Sequence, residues 1–373
     1  MKIQAASAYQ VKLPYPGVYR LSGGRTYAAF TTTVVRIDTD SGLIGWGESC
    51  PFGGTYIEGH TGGILAALEE LMPALIGLDP RQTDRLNDAM DAVLLGQAAA
   101  KAAIDIACWD LSGKAYGVAV CDLLGGRVAG PVPLISSIGS DAPEAMRASV
   151  QRHRALGFSH HSIKIGAAEA EGGPALDAER VAACLADRQP GEWFMADANS
   201  GLSQEHALRL FKVLPPGLDF VLEAPCASWG ETLAVRAKCP YPIMLDELVK
   251  TEADVALAIQ QNACDGLNLK LGKQGGLTRS RVQRDMARAA GLTVSIQDTW
   301  GGEISLAAIL HLAQSTPRHM LRGALDTRPL VGTRLGTLDT KVRDQGLEAP
   351  KVPGLGFEPS LEVLGAPVAQ WSA

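Results

Sequence analysis

Five successive apolar runs between residues 160 and 271 each end in a charged side chain, and this regularity constrains the fold more than any other feature of the chain. The runs are Ser162-Ile163-Lys164, Phe194-Met195-Ala196-Asp197, Phe220-Val221-Leu222-Glu223, Ile243-Met244-Leu245-Asp246 and Leu267-Asn268-Leu269-Lys270. Glu223 follows Asp197 by 26 residues, Asp246 follows Glu223 by 23, and Lys270 follows Asp246 by 24. Each interval fits one strand, one helix and their loops. Further short apolar runs at 133–138, 292–298 and 320–325 bring the candidate strands to eight, with amphipathic helical segments between them. That alternation predicts an α/β fold built on a βα barrel.

A charge at the end of a buried strand costs several kcal/mol unless it is paired or coordinated. Three in phase would bring Asp197, Glu223 and Asp246 side by side at the C-terminal mouth of the barrel, where such folds keep their chemistry. Any one of these acids could instead cap the next helix or meet a surface lysine, but three in register call for a cation. Oxygen ligands without His or Cys favour a hard divalent ion, Mg²⁺ ahead of Mn²⁺. Lys164 and Lys270, on the flanking strands, would face each other across it. A desolvated lysine beside a divalent cation has its pKa lowered, so its neutral amine can act as a general base. Glu247 is expected to pair with Lys270, and Asp298, ending the next strand, to orient a neighbouring lysine.

Before the barrel, residues 3–13, 31–38 and 42–48 read as strands, 15–27 as a loop, and 62–116 as helical. The tail from 327 is rich in Gly and Pro and is expected to fold back on the first unit. The expected division is therefore 1–128, an α+β unit; 129–326, the barrel; and 327–373, the returning segment. Lys plus Arg number 34 against 40 Asp plus Glu, a net charge of −6, which argues against nucleic acid or an anionic membrane as partner. No apolar run reaches 18 residues, so a cytoplasmic, soluble chain is expected. Its seven cysteines are scattered with no Cys-x-x-Cys pair, which suggests neither a disulfide framework nor a thiolate zinc site. His160 and His161 are read as loop or strand-surface residues, and no Gly-x-Ser-x-Gly nucleophile motif occurs.

Taken together, Lys164, Asp197-x-Asn199, Glu223, Asp246-Glu247, Lys270 and Lys273-x-Gly275-Gly276 resemble the enolase superfamily, muconate-lactonizing-enzyme subgroup. The resemblance implies a modified (β/α)7β TIM-type barrel whose N-terminal and C-terminal segments form an α+β capping domain. It implies a shared first step: a small-molecule carboxylate substrate bound at Mg²⁺ loses its α-proton to a lysine, giving an enediolate. It also implies a supporting role for Asn199, specificity loops at 15–27 and 50–60, and a homo-oligomer. One departure is Ser162, where the subgroup usually carries the first lysine of Lys-x-Lys.

Narrower matches, Ser22-Gly23-Gly24-Arg25, Cys50-Pro51-x-Gly53-x-Thr55-Tyr56 and Asp298-x-Trp300-Gly301-Gly302, are similar to cis-3-hydroxy-L-proline dehydratases and proline-betaine epimerases. These imply a lyase that dehydrates cis-3-hydroxy-L-proline, with Tyr56 and Trp300 flanking the substrate nitrogen by cation–π contact. The alternative is a racemase or epimerase of proline-type or N-methylated amino acids. A cycloisomerase or acid-sugar dehydratase is a weaker reading, since acid-sugar members of the superfamily tend to use a His–Asp pair and no His ends the relevant strands, and a non-catalytic binding barrel would require the acids or lysines to be lost.

Overall fold

The computed structural model describes residues 1–338 and 342–372. The eight expected barrel strands form in order: β4 (Val132–Ile138), β5 (His160–Lys164), β6 (Trp193–Asp197), β7 (Val221–Glu223), β8 (Ile243–Leu245), β9 (Gly266–Lys270), β10 (Thr293–Gln297) and β11 (Leu321–Leu325). All neighbours are parallel, and β11 pairs with β4 to close the ring. These strands are short and almost wholly buried, as expected of a sheet covered by helices on its outer face.

Three strands precede the barrel: β1 (Ile3–Arg20), β2 (Thr26–Thr39) and β3 (Ile44–Ser49). They form an antiparallel sheet that β13 (Ala369–Ser372) extends by pairing with β1. A further short strand, β12 (Gly346–Leu347), pairs antiparallel with β4. The expected loop at 15–27 is a correction. β1 runs on to Arg20 and pairs again with β2 at Tyr19↔Tyr27, after a register shift that begins at Pro14. Pro16 and Gly17, beyond the last pair Pro14↔Ala29, interrupt the pairing without ending the strand, as at a bulge. His161 is a second correction. It is fully buried, packs on Phe194 with ring centroids 5.1 Å apart, and bonds the Ser136 hydroxyl at 2.8 Å. Burial lowers its pKa to about 4.

The helix Ala98–Tyr116 lies between this sheet and the barrel and is buried from Ala99 to Gly113. Glycines on β3 permit that approach: a Cβ at Gly47 would stand 1.8 Å from the Ala103 carbonyl oxygen, and one at Gly45 2.4 Å from that of Ala107. Two buried carboxylates complete the junction. Glu48 of β3 accepts from the amides of Gly302 (2.6 Å) and Ser305 (2.9 Å), at the start of the barrel helix Glu303–Gln314. Asp105 accepts from the Thr278 amide (3.0 Å), at the start of the barrel helix Leu277–Ala289. Each fills the role of a helix N-cap from another part of the chain. Among the described residues, no helix is long and apolar enough to cross a membrane.

Candidate active site

Strand register sets the site. Lys164 and Asp197 are Cα partners across β5 and β6, and Asp197 and Glu223 are partners across β6 and β7. Asp246 follows β8 directly, and Lys270 ends β9. All five side chains are buried. In a closed ring of eight strands, β5 and β9 stand four apart, so the two lysines rise from opposite walls with the acids along the arc between them.

Each acid has a cationic or amide partner. Lys164 Nζ donates to Asp197 Oδ2, and also to the Ser162 hydroxyl at 3.3 Å, at the position where the resemblance led to the expectation of a lysine. Asn199 holds both oxygens of Asp197, through its amide N–H at 2.7 Å and its Nδ2 at 2.8 Å. Asp246 accepts from Lys270, from Lys273 at 2.6 Å and from the Tyr56 phenol at 2.9 Å. Glu223 accepts from Asn268 through Oε1, while its Oε2 has no hydrogen-bond partner in the protein.

The charge balance follows from these partners. Burial, aided by Asp197 and Asp246, pushes the Glu223 carboxyl well above its usual range. Burial would raise Asp246 too, but Lys270 and Lys273 outweigh it and hold that carboxyl well below the usual range. Burial by itself would lower the pKa of both lysines. Instead Asp197 holds Lys164 above its ordinary value and Asp246 does the same for Lys270, which corrects the expectation of lowered values. The expected lowering requires a divalent ion to engage those carboxylates in place of the ammonium groups.

The donor set fits such an ion: three buried carboxylates, one carrying a free oxygen, with no softer ligand among them. Their oxygens do not all gather within 4.8 Å of one another. Among the described residues only Glu169, Glu205 and His206 do so, on the surface, where Arg209 also pairs with both glutamates.

Two expected pairings are not made. Glu247 accepts from Asn199 Nδ2 at 3.3 Å rather than from Lys270, and burial with Asp246 and Asp197 nearby pushes it up to about 7. Asp298 accepts from the amides of Thr299 (2.7 Å) and Gly272 (3.1 Å), so it braces the turn after Lys270 instead of touching the lysine; burial pushes it up to about 7.

Tyr56 lines a cleft of about 1710 Å³ over the barrel mouth, together with Arg25, Asn199, Trp229, Glu247 and Lys273. The Lys270 ammonium lies 4.8 Å from its ring centroid. Trp300 does not line that cleft. At 2% exposure it packs into an aromatic cluster, stacked on Phe30 at 4.2 Å and edge-on to Tyr19 and Phe52 at 5.3 Å, and Phe52 in turn contacts Tyr56 at 5.5 Å.

Two contributors carry no role in the sequence reading. Lys273 is one helical turn beyond Lys270 and clamps Asp246. Asn268 shares the inward face of β9 with Lys270, and their two-residue spacing was the available signal.

Residues 21–125 match the family model described as the mandelate racemase / muconate lactonizing enzyme N-terminal domain, and residues 145–363 match the enolase C-terminal domain-like model. The chain belongs to the mandelate racemase/muconate lactonizing enzyme family. As a member of this family in the enolase superfamily, it is an enzyme. The chain is 38% identical over its full length to the cis-3-hydroxy-L-proline dehydratase of Roseibium aggregatum, covering 100% of both. It is 29% identical to the N-succinyl-L-Arg/Lys racemase of Bacillus cereus, over 96% of this chain and 95% of that protein. A Roseovarius nubinhibens ISM protein assigned to the mandelate racemase/muconate lactonizing enzymes, solved in complex with magnesium, superposes with a TM-score of 0.99. It is 60% identical, with complete coverage of both chains.

Proposed function

We propose that this enzyme is a Mg²⁺-dependent lyase that dehydrates cis-3-hydroxy-L-proline. The observation that carries the proposal is the opposition of Lys164 and Lys270 across a closed ring of eight strands. In the cis-3-hydroxy substrate the carboxylate and the hydroxyl share one ring face, so the α-hydrogen and the hydroxyl lie on opposite faces. An amine on one wall takes the α-proton as the Cα–H bond breaks. The electron pair of that bond forms a Cα=C3 double bond as the ammonium on the other wall gives its proton to the hydroxyl, which leaves C3 as water. Full-length similarity to a dehydratase of this substrate supports the same choice.

Asp197, Glu223 and Asp246 would hold the metal, Mg²⁺ or Mn²⁺. When bound, the ion supplies positive charge that offsets a substrate carboxylate and the further negative charge it gains on losing a proton. Asn199 fixes both oxygens of Asp197, and Lys273 fixes Asp246. Tyr56 lines the cleft and suits a cationic ring nitrogen, while Trp300, outside the cleft, reaches Tyr56 only through Phe52. Residues 1–128 with 327–373 serve as cap and 129–326 as catalytic barrel; the pairing of β13 with β1 supports that division.

Epimerisation of a proline-type amino acid is the second reading, favoured by the same opposed lysines and by similarity to racemases and epimerases. Incubation with Mg²⁺ in D₂O separates the two. A dehydratase consumes cis-3-hydroxy-L-proline with loss of water, whereas an epimerase returns substrate deuterated at Cα in both configurations. Absence of both would refute the proposal.

A further inference from the structure

Arg25 closes the Ser22-Gly23-Gly24-Arg25 run in the cap, and the three arms of its guanidinium reach three separate segments. Nε donates to the Ser22 carbonyl at 3.0 Å, Nη1 to that of Thr55 at 3.2 Å, and Nη2 to that of Asn199 at 3.1 Å. Its Cζ also lies 5.8 Å from the Tyr56 ring centroid. One acceptor lies in the turn after β1, one in the loop before Tyr56, and one in the turn after β6 that supports Asp197.

We propose that Arg25 is a positioning residue that locks these three segments together and thereby sets Tyr56 over Lys270. This rests on the proton chemistry proposed for Lys270. Three acceptors in three directions match a planar fork and not a point charge, so lysine is no substitute. Its bonded donors all go to backbone carbonyls, which argues for holding the loops rather than binding substrate.

The turn that Arg25 grips has left-handed backbone at Asn199 (φ 43°) and Ser200 (φ 61°), a conformation that needs support from its surroundings. The loop around Thr55 is mostly exposed. Apart from the bonds of the Tyr56 phenol to Asp246 and Lys270 and its ring contact with Phe52, this loop is tied by the Tyr27 hydroxyl and Thr55 Oγ1 (2.8 Å) and by an exposed Lys250–Glu58 ion pair (2.6 Å), the second of a kind that contributes little. Ser22 adds weaker bonds to the same turn, to the Asp197 carbonyl at 3.4 Å and to Asn199 Oδ1 at 3.3 Å.

The test compares Arg25→Lys and Arg25→Ala with the unaltered enzyme, each alone and combined with Tyr56→Phe. Readouts are steady-state kinetics on cis-3-hydroxy-L-proline with Mg²⁺ and limited proteinase K digestion mapped to residues 53–58. Both variants should raise KM by about tenfold or more and also lower kcat, as loss of the Tyr56 phenol from Lys270 does, with no rescue by lysine. Digestion within 53–58 should accelerate. Losses in kcat/KM from Arg25→Ala and Tyr56→Phe should be less than additive, because one residue acts through the other. Wild-type KM in Arg25→Lys, unchanged digestion, or strict additivity would overturn the proposal. If the unaltered enzyme does not turn over the hydroxyproline, the functional reading fails, and digestion alone decides whether Arg25 holds the loop. Should Arg25→Ala not fold, Arg25→Lys carries the comparison, checked by its thermal midpoint.

Discussion

Lys270 of the barrel donates a hydrogen bond to the phenol of Tyr56 in the cap, and that phenol donates in turn to Asp246 at 2.9 Å. A residue from the cap thus completes the polar shell of a proposed base. Tyr56→Phe keeps the ring and removes only the hydroxyl. A hydrogen bond to a charged group contributes about 2 kcal/mol, so kcat should fall between tenfold and a hundredfold. Steady-state kinetics check this, and an unchanged kcat would separate the phenol from the chemistry.

Metal dependence gives a second expectation. Chelation should abolish turnover, and added Mg²⁺ should restore it. Asp246→Asn should weaken Mg²⁺ binding by roughly a hundredfold or more, because it removes a charged ligand and disturbs Lys270 and Lys273 together. Titration calorimetry with Mg²⁺ alone measures this without turnover; full affinity in the variant would refute the ligand assignment.

The two lysines should fail differently. One of Lys164→Ala and Lys270→Ala should lose both α-proton exchange and dehydration. The other should retain exchange on L-proline, which has no leaving hydroxyl, while losing dehydration. NMR in D₂O distinguishes these outcomes. Equal exchange by both variants on both enantiomers would exclude work from opposite faces.

Asp298 predicts a pH effect. Burial raises its folded pKa to about 7, above the value of roughly 3.9 for an unfolded aspartate. Between these values the folded state keeps a proton that the unfolded state has lost. Its contribution therefore makes stability fall as pH rises from about 4 to 7, then level off. Asp298→Asn lacks this titration. The thermal midpoint of wild type minus variant should decrease between pH 5 and pH 7.5; a constant difference would refute the shift.

The barrel was legible because strands that end in charge are rare, and five in succession, the last four 23 to 26 residues apart, leave few alternatives. The residues proposed as metal ligands and the two lysines sit at those strand ends. Less was legible where partner choice depends on side-chain reach. Glu247 follows Asp246 directly, yet it turns toward Asn199, and Lys273 rather than Glu247 reaches the Lys270–Asp246 pair. Arg25 stood out only as part of the Ser22-Gly23-Gly24-Arg25 match, and its partners left no signal, since all are carbonyls and every residue supplies one. The length of β1 was hidden for a different reason: local Pro and Gly content reports a break in pairing but not its resumption beyond Pro14.

Glu48 and Asp105 place the caps of two barrel helices in another part of the chain. Specificity in such an architecture could be changed by exchanging the cap, but this barrel does not accept any cap equally. A grafted cap without carboxylates at these two points would leave the first amides of both helices buried and unmet, each costing about 1–3 kcal/mol. The exposed stretch 53–55 carries no such cap, so single changes there disturb the barrel less than exchange of the whole domain would.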